Sequence, residues 1–117
     1  MPWTVIDHPA FDAEREKLPA AVLDKLAEAV LALEDMGPRL GRPLVDTLAG
    51  SRHTNMKELR IAVGGAWRFA FAFAFDPARQ AIILVGANKE GVSSRRFYQR
   101  LVRTADGRFD EWLRTME

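Results

Sequence analysis

Residues 67–75 read WRFAFAFAF: every odd position is aromatic, and every even position is alanine except Arg68. A strict period of two predicts a β-strand with one bulky face and one small face. Just upstream, KELRIAV at 57–63 places Leu59 and Ile61 two apart and predicts a second strand. The unbroken apolar run AIILVGA at 81–87 predicts a third strand covered on both faces. Only GGA and DPARQ separate these three segments, so neighbours run antiparallel.

Elsewhere the period changes. WTVID, residues 3–7, predicts a short strand, and Asp7 or His8 caps the segment that follows, with Pro9 in its first turn. Phe11, Arg15 and Leu18 share one side of a short helix. A second helix, about residues 19–35, carries Val22, Leu23, Leu26, Ala29, Val30 and Leu33 at spacings of three and four, and Gly37-Pro38 ends it. Residues 37–56 form a long loop with three glycines and two prolines. Ser93 or Ser94 caps a last helix whose apolar side is Phe97, Leu101, Val102, Ala105, Phe109, Trp112 and Leu113. The expected fold is α+β in the order β-α-α-β-β-β-α. It is an antiparallel sheet with two N-terminal helices on one face and a C-terminal helix, in a single domain spanning 1–117.

Register follows from parity. Leu59 and Ile61 share a face with the odd-numbered phenylalanines only if the intervening loop has an odd number of residues. A three-residue loop, Gly64-Gly65-Ala66, pairs Ile61 with Phe69, Leu59 with Phe71 and Ala62 with Arg68. The opposite face then holds Glu58, Arg60, Arg68 and the alanines. A face of methyl groups is expected to be shallow and open. Arg60 and Arg68 stand close on it, ready for an anion. The alternative is plain ion pairing with Glu58, which shares the face.

Composition narrows the chemistry. The 117 residues are 48% hydrophobic, enough for a core, and contain no cysteine. That excludes disulfides, thiolate metal sites and a cysteine nucleophile, and it fits a reducing cytoplasm. No stretch approaches the roughly 20 apolar residues of a membrane span, and no signal peptide is expected. Net charge is +1, unevenly spread. Residues 1–36 hold eight acids and three bases, and residues 37–117 hold eight acids and 14 bases. Such a split suits a polyanion-facing half, or simply two solvated surfaces.

The segments LGRPLVDTLAGSRHTNMKELR, WRFAFAFAFDP, ILVGANKEG and RRFYQRLVRTADGRFDEWL resemble, in this order, the phage-related HigB-like branch of the RelE/ParE toxin superfamily. The resemblance covers nearly the whole chain. It implies the toxin of a type II toxin–antitoxin pair, with a helix-turn-helix antitoxin as partner in a hetero-oligomer. It further implies a cytoplasmic endoribonuclease that cleaves mRNA, on the 70S ribosome, with no metal and no cofactor. The alternative is a ParE-like inhibitor that binds DNA gyrase and cuts no RNA. By the same resemblance Arg68, Lys89, Arg60 and Tyr98 are the expected catalytic residues. Lys57, His53, Arg52, Arg95 and Arg96 are the expected RNA contacts. Glu58 stands where RelE-like enzymes carry a lysine. His53 is then either a base or a structural loop histidine, and His8 marks a helix start. Phe97 is expected in the core and Tyr98 nearer the surface. Arg95, Arg96, Arg100 and Arg103 make a basic helix face that is either solvated or set against RNA phosphates.

Overall fold

The computed structural model describes residues 2–117 except Gly65, and the side chains of Ala66, Trp67 and Arg68 also stand outside that description. Five strands form one sheet: β1 (Thr4–Asp7), β2 (Val45–Thr47), β3 (Met56–Val63), β4 (Ala66–Phe75) and β5 (Gln80–Asn88), in the spatial order β1-β5-β4-β3-β2. Among the described residues there are also three α-helices, α1 (Pro9–Arg15), α2 (Ala20–Met36) and α3 (Ser94–Thr115), and a 3-10 turn at Gly37–Arg39.

Two cores lie on opposite faces of the sheet. Phe71 and Phe73 are fully buried with Phe11 of α1 and Val22, Leu26, Ala29 and Leu33 of α2. The Phe11 ring meets Phe71 edge-on at 5.7 Å. Ala70, Ala72 and Ala74 face the other way, beneath Phe97, Leu101, Ala105 and Phe109 of α3. The alanine face is therefore closed, not open as expected. Its methyl groups let the backbone of a 22-residue helix lie close to the sheet, which larger side chains would forbid. Alternating strand composition has sorted the helices, with phenylalanine beneath α1 and α2 and alanine beneath α3.

Helix limits follow local chemistry. His8 caps α1, its Nδ1 accepting from the Ala10 amide at 3.0 Å. Gly37, at φ 55°, ends α2, and a Cβ there would overlap the Trp3 indole. Ser93 caps α3, accepting from the Arg96 amide.

The sheet differs from expectation in three ways. First, β1 runs parallel to β5, pairing Thr4 with Gln80 and Asp7 with Ile83, so the sheet is mixed at that edge. Everything from α1 to β4 lies between these two strands, long enough for the chain to return in the same direction. Second, residues 45–47 form a strand inside the presumed loop, pairing with Lys57, Glu58 and Leu59. Three residues are too few to display a period. Third, Ile61 pairs with Phe69 and Leu59 with Phe71, as parity requires, but Ala62 pairs with Trp67 and Val63 with Ala66. Parity is kept by a register shift that passes over Arg68, not by lengthening the loop. The expected pairing of Ala62 with Arg68 is thereby replaced, and Ala66 belongs to the strand. Gly65 of the expected loop lies outside the described residues.

Candidate active site at the β3–β5–α3 junction

A second register shift places a cation. Ala72 pairs with Val85 and Phe73 with Ile83, so Leu84 is the extra residue of a bulge in β5. Before it, Ile82 packs toward α3 and Ile83 toward the phenylalanines; after it, Val85 and Ala87 pack toward α3. The bulge thus exchanges the faces of odd and even positions, as one inserted residue must. Lys89, odd-numbered and just past β5, consequently reaches the α3 side, its Nζ 4.7 Å from the Tyr98 ring centroid and 5.7 Å from that of Phe97.

Strand β3 contributes Glu58 and Arg60 to the same face, and α3 contributes Tyr98 one turn past its cap. Phe97 is buried and Tyr98 half-buried, as expected. Lys89 Nζ donates to the Tyr98 hydroxyl at 2.7 Å, and that hydroxyl donates to Glu58 Oε1 at 2.8 Å. Arg60 Nε donates to the same carboxylate oxygen at 3.4 Å, and Arg60 Nη2 lies 3.5 Å from Asp46 Oδ2. Of the four expected catalytic residues, Tyr98 and Arg60 therefore meet at one carboxylate and Lys89 joins them through the Tyr98 hydroxyl. Glu58 is only 4% exposed, so its charge is held by these donors more than by water. Asp46, across the β2–β3 pair, is held below the usual carboxylate range, first by the Thr47 amide and then by Arg42 and Arg60. The side chain of Arg68, the fourth expected catalytic residue, lies outside the described residues.

The expected RNA contacts divide. Arg52 and His53 join a different cluster. Arg52 Nη2 donates to Asp110 Oδ2 at 2.6 Å, and His53 Nε2 donates to Asp110 Oδ1 at 2.9 Å. The His53 ring stands edge-on to Phe109 at 4.9 Å. Ser51 Oγ and the Arg52 amide donate to Asp106, and the His53 amide donates back to Ser51 Oγ. Asp110 is held below the ordinary range by Arg52 and then His53. Asp110 lies twelve residues beyond Tyr98 on α3, roughly 18 Å along the axis. The segment GSRH thus clamps the 50s loop onto α3, and His53 sits with Phe109 and Asp110, away from Glu58. Lys57 pairs in register with Thr47 and Phe73, on the parity of Leu59 and not of Glu58. Arg95 and Arg96 are exposed in the first turn of α3.

Sequence reasoning undervalued two residues. Glu58 is the hub of the site; strand parity put it on the right face, but the buried hydroxyl contact from Tyr98 had no local sign. Arg108 donates to both carboxylate oxygens of Glu14, at 2.8 and 2.6 Å, and to the Leu84 carbonyl at 2.7 Å. It ties α1, the β5 bulge and α3 together, supporting the bulge that carries Lys89 to its place.

The fold is of the RelE type. Superposition on a doubly arginine-substituted form of the Escherichia coli toxin RelE in the free state gives a TM-score of 0.62 over 88% of this chain and 96% of that one, at 12% identity. The model for "Phage derived protein Gp49-like (DUF891)" matches residues 13–110. The chain belongs to this phage-derived Gp49-like family, of RelE/HigB type. It is 49% identical over 89 residues to the Mycobacterium tuberculosis protein named "Putative toxin HigB2", a match covering 76% of this chain and 44% of that protein. It is also 49% identical over 85 residues to "Putative toxin HigB3" of the same organism, covering 73% of this chain and 71% of that one. The matched stretch is therefore less than half the length of HigB2.

Proposed function

We propose that this chain is the toxin of a toxin–antitoxin pair and acts as an endoribonuclease on mRNA, using the Lys89–Tyr98–Glu58–Arg60 array. The family supports the toxin reading, and the array supports the chemistry. The observation that carries it is the pair of hydrogen bonds linking Lys89, Tyr98 and Glu58.

In metal-independent RNA cleavage the 2′-hydroxyl attacks the adjacent phosphorus. A 2′-O–P bond forms and the P–O5′ bond breaks, leaving a cyclic phosphate and a 5′-hydroxyl. A base must take the 2′-proton, an acid must supply one to O5′, and positive charge must meet the phosphorane. Glu58 suits the base. Being buried, it receives the proton through Tyr98, whose oxygen accepts from the 2′-hydroxyl as its own proton passes to Glu58. Arg60 steadies the carboxylate. Lys89 has two N–H donors beyond the one given to Tyr98. These suit the phosphate oxygens and proton delivery to O5′. Arg68 is assigned to the phosphate by resemblance. The cognate helix-turn-helix antitoxin and the 70S ribosome are the proposed partners, in the cytoplasm. Among the described residues no helix is long and apolar enough to cross a membrane.

The test is induced expression with 5′-end mapping of transcripts, comparing the wild type with Glu58→Gln, Lys89→Ala and Arg68→Ala. New 5′-hydroxyl ends should appear with the wild type and fall sharply with each variant. Growth arrest with intact transcripts and inhibited gyrase would replace the nuclease reading with the ParE-like one.

A further inference from the structure

Nine of the thirteen arginines of this chain fall into two groups that differ in their partners. Arg15, Arg42, Arg52, Arg60 and Arg108 each pair with a carboxylate. Arg95, Arg96, Arg100 and Arg103, on the first half of α3, have no carboxylate within ion-pair distance among the described residues. Two of these four, Arg95 and Arg103, line a groove of about 510 Å³ between α3 and the loop at Ala49 and Gly50. Arg95, Gln99 and Arg103 are spaced four apart, so they follow one side of the helix, the two guanidinium-bearing positions roughly 12 Å apart along the axis. Tyr98 and Val102 complete the lining, which among the described residues contains no acid.

Tyr98 belongs to both this groove and the Lys89–Glu58 array, so the two adjoin at its side chain. The facing wall is fixed, because Ser51 and Arg52, directly after Gly50, are pinned to Asp106. A preformed slot results, with an apolar lining of Ala49, Val102 and part of the Tyr98 ring, an amide at Gln99 and a cation toward each end. A protein side chain could use the apolar lining, but acid-free walls between unpaired guanidinium groups complement a phosphodiester chain. Its volume is within the range of ligand clefts.

We infer that this groove is a nucleotide subsite that seats one unpaired RNA residue next to the scissile phosphate, with Arg95 and Arg103 holding the flanking phosphates and Gln99 facing the base. The inference rests on the ribonuclease reading above and specifies where the strand runs on leaving the reacting bond.

The test uses a fluorescein-labelled 2′-O-methyl hexaribonucleotide, which lacks the attacking hydroxyl, so binding is read without cleavage. Anisotropy titrations compare the wild type with Arg103→Ala, Gln99→Ala and the plugging variant Ala49→Trp. These positions are exposed, and thermal melts confirm that each variant folds. Arg103→Ala should lower the salt slope of binding by about 0.7. Ala49→Trp should weaken binding about tenfold, the scale of one lost base contact. Gln99→Ala should change the ranking of adenine and uracil hexamers. Wild-type affinity in both Arg103→Ala and Ala49→Trp would overturn the inference, even if transcripts are cut in cells. Displacement of the hexamer by an acidic peptide that binds more tightly and is itself blocked by Ala49→Trp would overturn it also, marking a protein-docking groove. Loss of hexamer binding in these variants, with no cleavage by the wild type, would uphold the subsite while removing the nuclease.

Discussion

The Tyr98 hydroxyl and the Glu58 carboxylate, forty residues apart in sequence, meet at 2.8 Å between the start of α3 and β3. This contact has two consequences that can be measured separately. Tyr98→Phe removes the only O–H of the pair and leaves Glu58 short of a donor in a nearly dry place. A hydrogen bond to a charged group contributes about 1.5–3 kcal/mol, so chemical denaturation should show a loss of that size. RNA cleavage by Tyr98→Phe should fall about 10²-fold or more, the usual range for removing acid–base assistance. A variant with full cleavage would exclude the phenolic relay.

Glu58→Gln separates base from scaffold. The amide is nearly the same shape and can still accept from Tyr98 through its carbonyl oxygen, yet it cannot take a proton near neutrality. Cleavage should drop about 10²–10⁴-fold with a small change in hexamer affinity. A parallel loss of affinity and rate would make Glu58 an organiser of the site and assign the base elsewhere.

Gly86 pairs with Phe71 across β4 and β5, and a Cβ there would overlap the Phe71 ring. Gly86→Ala should destabilise the protein by about 1–3 kcal/mol, through displacement of Phe71 or of the strand. The next residue, Ala87, packs toward α3, on the face Lys89 shares. Urea titration of Gly86→Ala gives the number, and an unchanged midpoint would mean that the Phe71 ring yields without cost.

The alternating phenylalanines and alanines announced β4, its parity and the separation of two faces, because each residue there declares its side by size. The same text could not say what covers the alanines. A methyl-lined face suits open solvent and a close-packed helix equally, and only the heptad-like apolar side of α3 settles the choice in three dimensions. Lys89 illustrates a second limit. Its side of the sheet depends on one passed-over residue, Leu84, in a run of apolar residues that all look alike. The clamp of Ser51, Arg52 and His53 on Asp106 and Asp110 joins residues more than fifty positions apart. No local period encodes such a pairing, so the loop cations were legible as cations but not as partners of α3.

Glu14 and Arg108 predict an acid-dependent loss of stability. Arg108 donates to both Glu14 oxygens and thereby holds its pKa below the ordinary glutamate value. A depressed folded-state pKa means that stability is present above the unfolded value and is lost as pH falls through the folded one. Denaturation of the wild type should therefore become easier below the ordinary carboxylate range, and Glu14→Gln should lack that part of the slope. Glu14 is about half exposed, so solvent screens the pair and the effect is modest. Identical pH profiles for the two proteins would show that Arg108 acts through Leu84 alone.

Asp106 decides whether the 50s loop is a fixed wall. It is 5% exposed and accepts from Ser51 Oγ and the Arg52 amide, so Asp106→Ala strands two donors and opens a small void beneath the loop. Each stranded donor costs about 1–3 kcal/mol unless water reaches it. Because the loop is at the surface, the chain can open locally and recover that hydration, so the loss should be concentrated there and not shared by the sheet. Hydrogen exchange should accelerate at the Arg52 and His53 amides in Asp106→Ala, while Phe71 and Ile82, deep in β4 and β5, keep their protection. Equal acceleration in loop and strands would mean that Asp106 supports the whole fold, and unchanged exchange at Arg52 would mean that the clamp contributes nothing to holding the loop.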